Sequence, residues 1–446
     1  MSKGASSMRD WIDRLTRALA RWVIGVFYRK IEVSGLEHVP SQGPVLFVAN
    51  HGNAIVDPIV LVGLLPRIPR FLAKNTLWKN PALFPLLTLA GAVPVYRAQD
   101  GDTARNDETF KECFAQLCDA GVVALFPEGI SHDEPQLQPL RTGAARIALG
   151  AMARGAEPVA IVPIGLTFEE KQRFRSRMLL RIGAPIRAPK DIAADDAEAA
   201  RSLTAEIDAA IRAVTLNVDS WETARLVERA AEIYASDHQR SMPGRSNLDA
   251  RFSLRQAFGD GYEEARQKEP QRFEALEAMA QRYDGMLRAL RLRDDQITAD
   301  YPFARAAGYV GYRLPVLLLR LPFAIVGALL NYLPYRIPGF AASFVEKEGD
   351  QPATYKMLAG FFLFPVFWMI EALAAGLLWG AQAGALVALA APITGWVALR
   401  FFERNESFWS ELRAYLWLRL APDRAAELRS LRGLLREELH DLVAPN

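Results

Sequence analysis

The sequence predicts an α/β fold: a mixed central sheet with flanking helices, followed by a helical extension and a C-terminal transmembrane helical hairpin. Three observations predict it. Between residues 31 and 186, short β-branched runs alternate with longer stretches of helical spacing, the pattern of a sheet covered by helices. Residues 187–300 are charged and helical in period. The run Met357–Leu399 holds one charged residue, Glu371, and is about twice as long as the ~20 residues that one membrane-crossing helix needs.

At 446 residues the chain is longer than a single core usually supports, so several modules are expected. With 53 Lys plus Arg against 51 Asp plus Glu, a net charge of +2 gives no global field for nucleic acid, and no nucleic-acid partner is expected. The two cysteines, Cys113 and Cys118, cannot form a disulfide framework for a chain of this size. His38, His238 and His440 lack companion ligands, so no metal site is expected.

Along the chain, residues 1–30 read as an amphipathic membrane-associated helix. Trp11, Leu15, Ala18, Leu19, Trp22 and Val26 share one face, and seven basic residues stand against Asp10 and Asp13. A cationic helix with Trp on its apolar side suits a lipid interface, and packing on its own domain is the competing reading. Residues 31–186 form the α/β domain. Strands are expected at Pro44–Ala49, Arg70–Lys74, Val93–Tyr96, Val122–Phe126, Pro158–Leu166 and Met178–Ile182. Helices are expected near Pro58–Leu65, Pro81–Ala90, Arg105–Asp119 and Gly143–Arg154. Residues 187–300 form a charged helical extension. Residues 301–356 form an apolar interfacial or re-entrant segment: Arg320 and Pro322 interrupt Leu314–Leu333, which reads first as an interfacial helix, with a re-entrant element or a third span as the alternatives. Residues 357–400 form the hairpin, with a turn near Trp379–Gly384, and residues 401–446 a helical tail. Lys356 and Arg400 flank the hairpin, which favours both ends on the cytoplasmic side.

Ligands of α/β sheets gather at the carboxyl ends of strands. One such end is Phe47-Val48-Ala49-Asn50-His51-Gly52-Asn53, before Asp57-Pro58 opens a helix. Asp57 is expected to be the N-cap of that helix. A carboxylate bonded to one imidazole nitrogen fixes the tautomer and leaves the other nitrogen to take a proton from an alcohol. A second strand ends at Leu125-Phe126-Pro127-Glu128-Gly129. Ser131-His132-Asp133 and Leu140-Arg141-Thr142-Gly143 follow it. Gly91–Arg97 and Ile161–Gly165 are two further strand segments. Ser131-His132-Asp133 is no triad, since consecutive side chains cannot converge in that geometry. His132 reads as a solvated loop residue, with a phosphate contact as the alternative.

Together these four segments resemble the blocks of the phospholipid/glycerol acyltransferase family. Its members acylate glycerol 3-phosphate or its monoacylated product. The resemblance covers residues 31–186. The family's first block is His, four residues, then Asp; here five residues separate His51 from Asp57, an insertion similar to that of yeast-type glycerol-phosphate acyltransferases. The third block matches Phe126–Gly129, but Ile130, Ser131 and His132 stand where Thr, Arg and Ser are usual.

The resemblance implies a membrane-bound O-acyltransferase of phospholipid biosynthesis. His51 would be its general base and Asp57 the residue that orients the ring. Arg97, Arg141 and Lys74 would contact the acceptor phosphate, and Glu128 and Gly129 would belong to the acceptor site. Glu128 is read equally as a hydroxyl ligand and as a loop anchor. No cofactor is implied beyond the acyl donor, which is acyl-CoA or acyl-carrier protein. The partners implied are membrane lipids, the donor, and glycerol 3-phosphate or a lysophospholipid as acceptor. The competing readings are a catalytically silent lipid-binding or membrane-scaffold protein on the same fold, and an acyl-thioesterase.

Overall fold

The computed structural model describes residues 3–79, 84, 87–88, 92–95, 106–188, 196–237, 247–298, 303–345 and 352–442. The chain divides into two compact units. The first comprises Met1–Trp221, Asn247–Phe252 and Glu346–Thr354; the second comprises Glu222–Ser246, Ser253–Val345 and Tyr355–Asn446.

The first unit opens with α1 (Lys3–Phe27). Ala20, Ile24 and Phe27 are buried against α2 (Val56–Leu64), where the Arg17 and Arg21 guanidiniums donate to the carbonyls of Pro66 (2.9 Å) and Gly63 (2.7 Å). Trp11, Leu15, Leu19 and Trp22 remain exposed along one stripe. The helix stops where buried Arg175 donates to the carbonyls of Gly25, Val26 and Tyr28, taking up oxygens that a helix end leaves unpaired. The chain then enters β1 (Tyr28–Ser34), a strand absent from the sequence reading.

The remaining strands are β2 (Val45–Ala49), β3 (Arg70–Lys74), β4 (Val93–Val95), β5 (Val122–Leu125), β6 (Ala160–Phe168), β7 (Ser176–Ile182) and β8 (Ile186–Arg187). Their order is β1-β7-β6-β2-β5-β3-β4, with β8 alongside β6. Strands β2 to β6 run parallel, and β7 pairs antiparallel with β6. The sheet is therefore mixed. Five of the six expected strands appear within two residues of their expected bounds. For the sixth, Val93–Val95 is a strand and Tyr96 lies outside the described residues.

Helices α3 (Asn106–Cys118), α4 (Gly143–Met152) and α5 (Ala197–Arg212) cover one face of the sheet. Their Cys113, Leu117, Ile147, Leu203 and Ile207 pack with Leu46, Val48, Val123 and Ile161, the face that alternate strand residues share. Most of the helix expected at 81–90 lies outside the described residues. Gly165 on β6 is required by close approach: a Cβ there would stand 1.8 Å from the Val214 carbonyl oxygen.

The second unit is helical: α6 (Trp221–Asp237, from Glu222 onward), α7 (Leu248–Lys268, from Ser253 onward), α8 (Pro270–Leu290), α9 (Asp294–Thr298), α10 (Phe303–Val345), α11 (Pro352–Trp379, from Tyr355 onward), α12 (Ala381–Leu420) and α13 (Pro422–Leu442). Buried Arg432 grips both oxygens of buried Asp294 (3.0 and 3.1 Å), which also accepts from the Tyr283 hydroxyl at 2.8 Å. A buried ion pair needs this degree of satisfaction.

Among the described residues, three helical windows, Gly308–Phe340, Pro352–Trp379 and Ala381–Leu420, are long and apolar enough to cross a membrane. At Leu314–Leu333, Arg320 and Pro322 do not interrupt the helix; both lie within the 43-residue α10, which is compatible with an interfacial helix and with a third span. The expected turn is present, at Gly380 (φ +95°). The second arm of the hairpin continues to Leu420 rather than ending near residue 400. Asn331 links the three apolar helices. Its amide nitrogen donates to the carbonyls of Gly327 (2.9 Å) and Ala391 (3.2 Å), and its oxygen accepts from the Trp368 indole at 2.8 Å.

Candidate active site

Parallel pairing of β2 with β5 and β6 brings three connections to one edge of the sheet: residues 50–55, 126–142 and 169–175. His51 and Asp57 lie on the first. The imidazole Nδ1 stands 3.0 Å from Asp57 Oδ2. The carboxylate is fully buried, while the histidine side chain retains 15% exposure. A proton on Nδ1 satisfies the carboxylate and leaves Nε2 as the acceptor. The ring lies flat on Phe126, with centroids 4.0 Å apart and planes at 9°. Its plane is thus fixed on one side by an aromatic face and at one edge by an acid.

Asp57 is not the N-cap of α2, as the sequence reading expects. The helix starts two residues earlier than expected, at Val56, with Ile55 at the cap position. From the first turn the carboxylate folds back and accepts the Asn53 N–H at 2.8 Å through the same oxygen that meets the imidazole. Beside it, the buried Tyr28 hydroxyl accepts from the Asn53 amide at 3.4 Å. Burial, and then the charge of Asp57, push the Tyr28 phenol well above its ordinary value. Asn50 joins the loop to β6, exchanging two hydrogen bonds with the Leu166 backbone (2.8 and 3.2 Å). The Ala54 N–H donates to Ser131 Oγ (3.0 Å) and the Ile55 N–H to Thr354 Oγ1 (3.3 Å).

Glu128 is the anchor that joins the two loops. Its Oε1 accepts the His51 N–H at 2.7 Å, and its Oε2 accepts the Gln138 N–H at 2.8 Å and the His132 Nε2–H. Fully buried and occupied at both oxygens, it is a loop anchor in this geometry. His132 is mostly buried rather than solvated, its side chain 14% exposed. Its Nδ1 accepts the Glu134 N–H at 3.1 Å, and its own backbone N–H donates to the His51 carbonyl at 3.1 Å. Sequence reasoning missed this role, although four-residue spacing from Glu128 was visible. Gly129 takes φ +74°, a region open to glycine. A Cβ there would lie 2.9 Å from Arg141 Nε, so the guanidinium rests against the Gly129 backbone. Among the described residues no side-chain hydrogen bond engages that guanidinium.

Lys74 ends β3 on the same edge of the sheet, but its side chain lies outside the described residues, as does the whole of Arg97. Among the described residues, no group of three or more His, Cys, Asp or Glu side chains is arranged to hold a metal ion.

Residues 30–167 match the family model described as acyltransferase. The α/β domain matches that acyltransferase model over most of its length. Residues 228–445 match a second model, the glycerol-3-phosphate acyltransferase 2 C-terminal domain. Among curated proteins, glycerol-3-phosphate O-acyltransferase 1 of Saccharomyces cerevisiae is 24% identical over 470 residues, covering 80% of this chain and 61% of the yeast protein. Glycerol-3-phosphate O-acyltransferase 2 of the same organism is 28% identical over 59% of this chain and 37% of its own length. The 1-acyl-sn-glycerol-3-phosphate acyltransferase of Bacillus subtilis is 28% identical over 35% of this chain and 73% of its own. The chain thus spans less than two thirds of either yeast relative. Among solved structures, the 1-acyl-sn-glycerophosphate acyltransferase of Thermotoga maritima matches at 19% identity and a TM-score of 0.37, over 48% of this chain and 83% of that one.

Proposed function

We propose that this protein is a membrane-bound O-acyltransferase. It would transfer a fatty acyl group from acyl-CoA or acyl-carrier protein to a hydroxyl of glycerol 3-phosphate or a lysophospholipid. The observation that carries the reading is the His51–Asp57 pair at 3.0 Å, on the carboxyl edge of an acyltransferase-family sheet. The two yeast relatives bear the name of glycerol-3-phosphate acylation, which favours glycerol 3-phosphate as acceptor.

In this mechanism the acceptor hydroxyl gives its proton to His51 Nε2 as its oxygen attacks the thioester carbonyl. The imidazolium so formed is stabilised by the buried Asp57 carboxylate. The tetrahedral adduct collapses with loss of the C–S bond, and the departing thiolate takes the proton back from Nε2. General-base assistance of this kind contributes about 10²–10⁴-fold, and holding donor and acceptor together contributes more. Arg141 supplies a fork suited to the acceptor phosphate; Arg97 and Lys74 are carried in the same role from the sequence pattern. Glu128 and Gly129 act by shaping the loop that frames His51.

Membrane attachment is supported by the three long apolar helices and by the exposed Trp11–Trp22 stripe of α1. With α10 lying along the interface, Lys356 near the start of α11 and Arg400 within α12 favour a catalytic domain on the cytoplasmic side.

The test is mass spectrometry of lipid products from the purified full chain, offered a panel of acyl-CoA and acyl-carrier-protein donors with glycerol 3-phosphate, lysophosphatidate and water as acceptors. Acylated glycerophosphate from wild type, absent in a folded His51→Ala variant, supports the reading. Free fatty acid alone identifies a thioesterase, and no turnover of any donor identifies a silent binding protein.

A further inference from the structure

The connection at residues 169–175, between β6 and β7, has no role in the chemistry described so far, yet it lies on the same edge of the sheet as the histidine loop. It carries Lys171. A Cβ built on Gly52, the residue after His51, would sit 3.2 Å from Lys171 Nζ, so the ammonium rests directly against the histidine loop. It is held there. Nζ donates to Asp133 Oδ1 at 2.7 Å and lies over the Trp221 ring, 5.4 Å from its centroid. The Trp221 indole N–H in turn donates to the Asp133 carbonyl at 3.0 Å. The side chain keeps 20% exposure, enough to reach a ligand.

Two features suit this place to an anion. First, the loop from Ile130 to Asp133 supplies no cation of its own: Ser131 accepts the Ala54 N–H, and His132 is committed to Glu128. Second, an ammonium has three N–H donors, and among the described residues Asp133 takes one. Two remain, beside a loop whose other flank holds the Arg141 guanidinium against Gly129. A negative group bound next to His51 would thus meet a fixed point charge and a fork.

We infer that Lys171, positioned by Asp133 and Trp221, is a phosphate-anchoring residue for the acceptor. The inference rests on the acyl-transfer reading for its substrate class, but its binding component is separable.

The experiment uses the full chain in detergent, as wild type, Lys171→Gln and Lys171→Arg, with melting temperatures to establish folding. Equilibrium dialysis measures labelled glycerol 3-phosphate, with labelled glycerol as the uncharged control. Loss of a charge-assisted contact is expected to weaken glycerol 3-phosphate binding by about 10–100-fold in Lys171→Gln. Lys171→Arg is expected to recover most of that loss, and glycerol binding is expected to respond to neither change. In turnover, the defect should fall on KM for the acceptor rather than on kcat. Unchanged glycerol 3-phosphate affinity in Lys171→Gln, or no binding by wild type, overturns the anchor. Binding that depends on Lys171 without any acyl transfer by wild type overturns the acyl-transfer reading and leaves the anchor standing.

Discussion

At the residue scale, three of the contacts that hold His51 are Asp57 at the ring, Phe126 under it, and Glu128 at its backbone N–H. The first of these was legible in the sequence, because six residues across a strand–helix crossing leave few ways for an imidazole and an acid to miss each other. The third was not. The partners of Glu128 include the backbone N–H groups of His51 and Gln138, and a backbone donor has no residue signature. The Phe-Pro-Glu-Gly pattern therefore located Glu128 but left ligand and anchor equally open. As an anchor, Glu128 has both oxygens accepting. In Glu128→Gln the new NH2 must face either the His51 N–H or the Gln138 and His132 donors. Leaving buried donors unpaired costs about 1–3 kcal/mol, so this variant should melt at a lower temperature and lose turnover with it. A melting temperature equal to wild type would contradict the anchor role.

At the scale of elements, most strand positions follow from alternation of short apolar runs, and β1 shows where that signal fails. Tyr28–Ser34 mixes Arg29, Lys30 and Glu32 with apolar residues. Its parallel partner β7 begins at Ser176, more than a hundred residues later, so no local pattern marks it. Glu32 on this strand caps α7: its carboxylate accepts the N–H groups of Leu248 (2.9 Å) and Asp249 (3.1 Å). Burial pushes this carboxyl up, but those two bonds and Lys30 outweigh it and hold the group below its ordinary value of 4.5. A depressed folded-state value stabilises the fold above the unfolded-state value, and that contribution is lost as pH falls through the folded one. Thermal melts across the acid range should therefore show a smaller drop below pH 4.5 for Glu32→Gln than for wild type. Parallel curves would rule the linkage out. Within α10, Arg320 and Pro322 read as an interruption of the run and are not one: a proline inside a long apolar helix is tolerated when neighbouring helices take up the freed groups. Asn331 makes a contact of its own across these helices, to the Ala391 carbonyl and from the Trp368 indole. Asn331→Ala should weaken association of α10, α11 and α12 by about 1 kcal/mol, seen as a lower denaturation midpoint in detergent. An unchanged midpoint would mean the three bonds carry no net stability.

At the scale of the whole molecule, the composition separates a sheet domain from apolar helices, and the two family matches cover residues 30–167 and 228–445, the second beginning within the charged extension. The N-terminal helix packs on its own domain with one face: Ala20 and Ile24 point inward, while Trp11, Leu15, Leu19 and Trp22 stay exposed on the face proposed for lipid. Replacing Trp11 and Trp22 together by Ser, in a chain truncated before Phe303, should reduce flotation with anionic liposomes several-fold if that fragment remains folded. Equal flotation would assign attachment elsewhere.

The account depends most on Asp57 making His51 a base. The measurement that tests it most directly is kcat for acyl transfer to glycerol 3-phosphate by Asp57→Asn, with circular dichroism confirming the fold. The account predicts a loss of about 10²–10⁴-fold with little change in donor binding. A folded Asp57→Asn enzyme turning over at the wild-type rate would contradict it.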